Sequence, residues 1–228
     1  MAEKVVIGNA ELYHGDCREV LPGLPPCDLV LTDPPYGLAS KLHGGTWGTK
    51  FGEAYEDWDS MPASAWVFGL LREKAGALIV WGGNYYALPL TRGWLAWRKP
   101  DAPPTMAHLE LAWTSYDMNA KMLDHSIAAT NAERVGHPTH KPVRVMAWSL
   151  EFAPDARTVL DPFMGSGTTG VACAQIGKAF TDIERERKYF DIACERISRA
   201  QAQGALFPPE VQQQTQAGLD LSGTEEES

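Results

Sequence analysis

The chain has 228 residues, a net charge of −9, 44% hydrophobic residues and 21% charged ones. That length and composition suit one well-buried α/β domain with a tail or small insertion, and no apolar run reaches the ~20 residues that span a bilayer. The acidic balance argues against strong, sequence-independent affinity for a polyanion, whose phosphates need a local basic stripe and not a basic average.

Residues 206–228 hold five acidic residues and no Lys or Arg, so the remaining body is much closer to neutral. This Pro-Pro, Gln-rich, acidic stretch is expected to be a disordered tail behind a single domain over 1–205. The first ten residues lack the apolar core of a signal peptide, which predicts a cytoplasmic protein. Cys17, Cys27, Cys173 and Cys194 form no CxxC pair and show no disulfide spacing, so reduced thiols are expected.

Residues 5–7 and 11–14 read as short strands around the Gly8-Asn9 turn. The second ends in Gly15-Asp16 before a helix start. Asp16 either caps that helix or contacts a ligand at a strand end, and one residue could do both. Residues 28–32 are a short apolar run that predicts a buried parallel strand. It ends in Asp33-Pro34-Pro35-Tyr36. Two prolines set φ twice and remove two donors, giving a stiff turn with free carbonyls, a carboxylate and an aromatic ring. Such a turn suits a planar substrate with an amino group, as a flipped nucleobase is. The alternative is a plain turn with Tyr36 as packing.

Residues 37–60 are rich in Gly and lack periodicity, with Lys41, His43, Trp47 and Lys50 among them. Cations interleaved with aromatics beside the turn suit phosphate contact and base stacking; the alternative is a surface loop folded back on the body. A helix capped by Asp59 or Ser60 follows, with Trp66, Val67, Leu70 and Leu71 as its core stripe and Gly76 as its end. Residues 77–81 predict a strand, 85–90 a short helix, and 94–98 with 108–114 an antiparallel edge on a mostly parallel sheet. Residues 115–136 are polar and read as irregular, with Lys121 and Arg134 as further candidates for DNA contact.

His137 and His140 are three apart, but Pro138 breaks any helix between them and no further ligand cluster stands nearby, so no metal site is expected. Residues 143–150 predict a helix and 158–160 a strand. Then comes Asp161-Pro162-Phe163-Met164-Gly165-Ser166-Gly167-Thr168-Thr169-Gly170. Strand, Gly-rich turn and helix let a ligand approach the backbone. The same glycines satisfy a dinucleotide fingerprint, but only one βαβ unit follows, and no Gly-Lys-[Ser/Thr] follows for a phosphate-binding loop. Residues 179–183 predict a strand delivering Glu184, with Asp182 as fallback, to hold ribose hydroxyls; the alternative for Glu184 is a surface carboxylate heading the next helix. Tyr189, Ile192, Ala193, Ile197 and Ala200 form the expected inner face of the last helix.

Asp33-Pro34-Pro35-Tyr36, His137-Pro138-Thr139-His140-Lys141-Pro142 and the 161–170 loop together resemble the amino-methylating, S-adenosylmethionine-dependent DNA methyltransferases over roughly residues 10–200. With the catalytic motif first and the cofactor motif last, the resemblance is to the permuted branch. It implies a Rossmann-like seven-stranded sheet, mostly parallel with an antiparallel edge and helices on both faces. It implies catalysis by Asp33, Pro34, Pro35 and Tyr36 on a flipped base in double-stranded DNA. S-adenosylmethionine would meet Asp16 at its adenine, Glu184 at its ribose, and Asp161, Phe163, Gly165, Ser166 and Gly167 at its methionine part. Thr139 and Lys141 would lie at its carboxylate end; the alternative for Lys141 is a solvated side chain before a helix.

Asp at the first motif position favours N6 of adenine, with N4 of cytosine as the first alternative. A cofactor-binding DNA accessory protein without catalysis is the second, and intact Asp33 and Tyr36 argue against it. The resemblance places the protein in a bacterial or phage-infected cell, with a restriction partner, an orphan regulator and phage protection all open. The short recognition region suggests that two copies cooperate on one duplex.

Overall fold

The expected strand at residues 28–32 is the centre of the sheet. A computed structural model describes residues 2–37, 63–132 and 141–204. Among them nine strands form one sheet in the order β1-β2-β9-β8-β3-β4-β6-β5-β7. In chain order these are β1 (Glu3–Ile7), β2 (Ala10–His14), β3 (Cys27–Thr32), β4 (Ala75–Trp81), β5 (Trp94–Arg98), β6 (Leu109–Thr114), β7 (Lys121–Asp124), β8 (Thr158–Asp161) and β9 (Ala179–Glu184). The helices are α1 (Cys17–Val20), α2 (Ala65–Lys74), α3 (Ile127–Ala132), α4 (Val143–Leu150), α5 (Thr168–Gln175) and α6 (Arg187–Gly204).

Strands β2, β9, β8, β3 and β4 run parallel, while β6 runs antiparallel to both β4 and β5. The seven strands from β2 to β5 are the expected sheet. The other two extend its edges: β1 pairs antiparallel with β2, and β7 pairs parallel with β5. The strand alternation sorts side chains into two cores. Leu29, Leu31, Ile79 and Trp81 meet Val145, Met146, Val171, Ala193 and Ile197 of α4, α5 and α6 on one face. Val30, Leu78, Val80 and Leu160 meet Val20, Val67, Phe68 and Leu71 of α1 and α2 on the other. Helices therefore cover both faces.

From β8 the chain moves to β9 on one side, and from β3 to β4 on the other. The β8–β3 boundary is thus a topological switch point, where ligands bind in such sheets. Asp28 secures its far end: its Oδ2 accepts the amides of Arg157 and Thr158 at 2.8 and 2.9 Å.

Several sequence expectations need correction. Residues 85–90 form no α-helix: a 3-10 turn spans Gly83–Tyr85, and Tyr86 is already extended. The indole of Trp113 donates to Pro89 O at 2.8 Å and holds this segment on the sheet. Residues 115–136 are not simply irregular: β7 occupies the open edge of β5, and Asp101 caps the start of α3 by accepting the amides of Ile127 and Ala128. On α2 the buried stripe is Val67, Phe68 and Leu71, one residue round from expectation, and Trp66 is 51% exposed. Helix α2 ends at Lys74, and Gly76 lies inside β4, where a Cβ would sit 3.0 Å from Asp28 O. On α6 the buried aromatic is Phe190, beside a half-buried Tyr189.

Candidate active site

At the carboxyl end of β3, Asp33 leaves the sheet into the double-proline turn. The Tyr36 hydroxyl donates to Asp33 Oδ1. Tyr86, just past the end of β4, ties the turn down: its hydroxyl donates to Pro35 O at 2.5 Å, and the Ala63 amide donates to the same oxygen at 3.2 Å. Among the described residues Pro34 O has only a long 3.4 Å contact with the Tyr86 hydroxyl, so it keeps acceptor capacity. The Tyr36 ring lies against Gly82 and stacks with Tyr85 at 4.9 Å between centroids and 25° between planes. Gly82 has φ +66°, and a Cβ there would fall 2.0 Å from the Tyr36 ring. Glycine is needed both for the left-handed backbone and for the ring's approach.

Lys141, buried at 6% exposure, points its ammonium into this turn. Nζ is 3.1 Å from Asp33 Oδ1, 3.2 Å from the Tyr36 hydroxyl and 2.5 Å from Glu110 Oε2. The other Glu110 oxygen accepts from Lys99. Lys141 also lies 5.2 Å from the centre of the Trp81 ring, within cation–π range. Burial alone would depress the Lys141 ammonium, but Asp33 and Glu110 outweigh it and hold its pKa above the ordinary value. Burial would raise Glu110, yet Lys141 and Lys99 pull it down to about 2. Asp33 is raised by burial, an effect that Lys141 and the Tyr36 hydroxyl only partly offset. Burial, then Asp33, keeps Tyr36 a neutral hydroxyl.

One strand away, Asp161 ends β8. Its Oδ1 accepts the Thr32 hydroxyl at 2.7 Å and the Phe163 amide at 3.0 Å, and its Oδ2 accepts the Thr169 hydroxyl at 2.6 Å. Burial lifts its pKa to about 6. Gly165 and Gly167 carry φ of +53° and +80°, and Phe163 is half-buried beside them. Ser166 is buried, with its carbonyl and hydroxyl oxygens 2.6 and 3.0 Å from Arg196 Nη1. Glu184 ends β9, where its oxygens accept the amides of Gly165 at 2.8 Å and Glu186 at 2.7 Å. Burial pushes Glu184 up to about 7. Asp16, two residues past the end of β2, caps α1 through the Arg18 amide at 2.8 Å and pairs with the Arg18 guanidinium.

The structure thus brings Asp33, Pro34, Pro35, Tyr36 and Lys141 into one cluster. Asp161, Phe163, Gly165, Ser166, Gly167, Glu184 and Asp16 line the adjoining strand ends. Asp182, the fallback for ribose contact, is fully buried with neither oxygen hydrogen-bonded. A Cβ on Gly170 would lie 2.7 Å from it, so it belongs to the α5 packing. Lys121 is exposed where β7 begins, at the end of the sheet away from these carboxylates. Lys41, His43, Trp47, Lys50, Arg134, Thr139, His137 and His140 lie outside the described residues, as does the tail. Among the described residues no group of three His, Cys, Asp or Glu is placed to hold a metal ion, and no helix is long and apolar enough to cross a membrane.

Sequence reasoning missed Tyr85, Tyr86, Lys99 and Glu110. The available signal was Glu110 itself, a lone charge within the otherwise uncharged run Leu109–Thr114.

A family model described as DNA methylase, for N6 and N4 methyltransferases, matches residues 80–195. The chain belongs to this DNA methylase family. Type II methyltransferase M.HinfI of Haemophilus influenzae is 28% identical over 243 residues, covering 82% of this chain and 67% of that protein. Type II methyltransferase M2.LlaDCHI of Lactococcus lactis subsp. cremoris is 24% identical over 247 residues, covering 86% and 92%. Two solved structures share the fold. The M1.HpyAVI–SAM complex superposes with a TM-score of 0.56 at 20% identity over 82% of this chain and 99% of that one. The cytosine-N4-specific PvuII DNA methyltransferase does so with 0.57 at 16% identity over 84% and 87%. As a DNA methylase, this protein has DNA as its substrate.

Proposed function

We propose that this DNA methylase transfers a methyl group from S-adenosylmethionine to the N6 amino group of an adenine flipped out of duplex DNA at a specific site. The observation that carries the reading is the shared boundary of β3 and β8. An amino-accepting turn and a Gly-rich cofactor loop stand on adjacent strands at the switch point, joined through Thr32 and Asp161.

The residues fit the cofactor. Asp161 uses three of about four acceptor positions, which leaves one for the methionine ammonium. Glu184 and Asp16, on successive strand ends, suit the ribose hydroxyls and the adenine amino group. Bound S-adenosylmethionine supplies a methyl on a positively charged sulfur and leaves as a neutral thioether.

Tyr36 stacks on the flipped base. Asp33 Oδ2 and Pro34 O accept the two amino hydrogens and draw the nitrogen lone pair out of conjugation with the ring. As nitrogen bonds to the methyl carbon, the carbon–sulfur electron pair stays with sulfur. The surplus amino proton passes to Asp33 or to water, and a carboxylate raised by burial accepts it more readily. Most of the advantage comes from positioning and fixed dipoles. Lys41, His43, Trp47, Lys50 and Arg134 are assigned to the DNA.

Sequencing modified bases in DNA from cells expressing the protein tests this reading. N6-methyladenine at one recurring sequence is expected. N4-methylcytosine would move the assignment to the other amino base, and unmodified DNA would favour an accessory role.

A further inference from the structure

Lys141 has three N–H donors and meets three acceptors: Asp33 Oδ1, the Tyr36 hydroxyl and Glu110 Oε2. The shortest contact is to Glu110, not to the catalytic carboxylate. Glu110 sits near the start of antiparallel β6, opposite Trp97 near the end of β5, which brings it to the same end of the sheet as Asp33. Its second oxygen is held by Lys99, a buried lysine over the Trp97 ring. Two lysines and two carboxylates therefore alternate along a chain ending at Asp33, and their charges cancel.

Asp33 Oδ1 already faces both Tyr36 and Lys141. Oδ2 is the oxygen left for the substrate amino group. A lysine beside a lone carboxylate would straddle both oxygens and compete for that position. Resting on the proposed methyl transfer, we propose that Glu110 is a positioning residue: it draws Lys141 back, so that the ammonium orients Asp33 without occupying its substrate-accepting oxygen.

A second consequence concerns pH. Among the described residues, the groups facing Lys141 are Asp33 and Tyr36 from the turn after β3, Glu110 from β6, the Trp81 ring from β4 and the Trp97 ring from β5. Lys99 lies behind Glu110. With the Glu110 charge gone, one of the two carboxylates that keep Lys141 protonated against burial is lost. The ammonium then gives up its proton at a lower pH.

The test is single-turnover methyl transfer to DNA against pH, over about pH 6 to 9.5, for the full chain and for Glu110→Gln. The expected result is a rate lowered about 10- to 100-fold near neutrality, the scale of a small misplacement of reacting groups. The wild type, whose Lys141 ammonium is held above its ordinary value, should keep its rate to the alkaline end of this range, whereas Glu110→Gln should lose rate there, with cofactor affinity by calorimetry unchanged. A merely structural role would lower the rate uniformly and bring no alkaline loss into this range, and that result overturns the assignment. If Glu110→Gln does not fold, Lys99→Met provides the second measurement. It frees one end of Glu110 but keeps its charge, so the rate should fall less and no alkaline loss should appear in this range; an alkaline loss like that of Glu110→Gln contradicts the scheme. A wild-type chain that methylates no DNA overturns the functional reading itself, whereas an active wild type matched by an equally active Glu110→Gln overturns only the role of Glu110.

Discussion

The Thr32 hydroxyl donates to Asp161 Oδ1 at 2.7 Å, across the boundary between β3 and β8. Thr32 is the last residue of the strand that presents Asp33, and Asp161 is the last residue of the strand that leads into the Gly-rich loop. Both are buried. The two halves of the site are therefore set relative to one another by a bond between neighbouring strand ends, 129 positions apart in the chain.

Thr32→Val keeps the shape and removes that donor. A buried carboxylate that loses a partner is destabilised by about 1–3 kcal/mol. Denaturant melts should show a loss of that size, and calorimetry at neutral pH should show weaker cofactor binding. Unchanged affinity would mean that Thr32 does not tune Asp161.

Cofactor affinity should depend on pH. The proposed pairing of Asp161 with a cationic ammonium needs that carboxyl ionised, and burial has raised it to about 6 and Glu184 to about 7. Affinity measured by calorimetry should fall as pH drops through 7 and 6. Stability runs in the opposite sense. Both groups bind protons more tightly when folded, so their contribution is complete below the ordinary carboxylate range and is lost as pH rises through about 6 and about 7. Affinity flat from pH 8 to 5 would remove both groups from the cofactor site.

Asp33→Ala removes the proposed acceptor of the amino hydrogens but leaves the 161–170 loop untouched. It should bind cofactor normally and lose methyl transfer by about 100-fold or more. Equilibrium binding and single-turnover assays read the two effects separately. Retained transfer would take Asp33 out of the chemistry.

Gly82→Ala puts a methyl group where the Tyr36 ring lies and strains a backbone at φ +66°. The cost should be about 1 kcal/mol or more in stability, with a larger fall in kcat than in cofactor affinity. An equal loss in both would show that Tyr36 does not act separately from the cofactor loop.

Local signals explain what was legible in the sequence. The apolar run at Asp28–Thr32 and the glycines of the 161–170 loop declare their geometry within a few residues, and both are found at the sheet centre. The partners of Lys141 are another matter. It meets Tyr36 from 105 positions away and Glu110 from 31, and no periodicity encodes either meeting. The same holds for β7, four residues that become a strand because β5 offers an open edge. The 85–90 segment carries Pro89, which opposes a helix there, and long-range bonds from Tyr86 and to Pro89 hold it off a helical path.

The central claim is that the turn at Asp33 and the loop at Asp161 form one pocket for methyl transfer to an exocyclic amino group of adenine. Incubating the protein with duplex DNA and methyl-labelled S-adenosylmethionine, then hydrolysing the DNA to nucleosides, tests it most directly. Label in N6-methyldeoxyadenosine is the predicted result. Label in N4-methyldeoxycytidine, or unlabelled DNA from a protein that binds the cofactor, would contradict it.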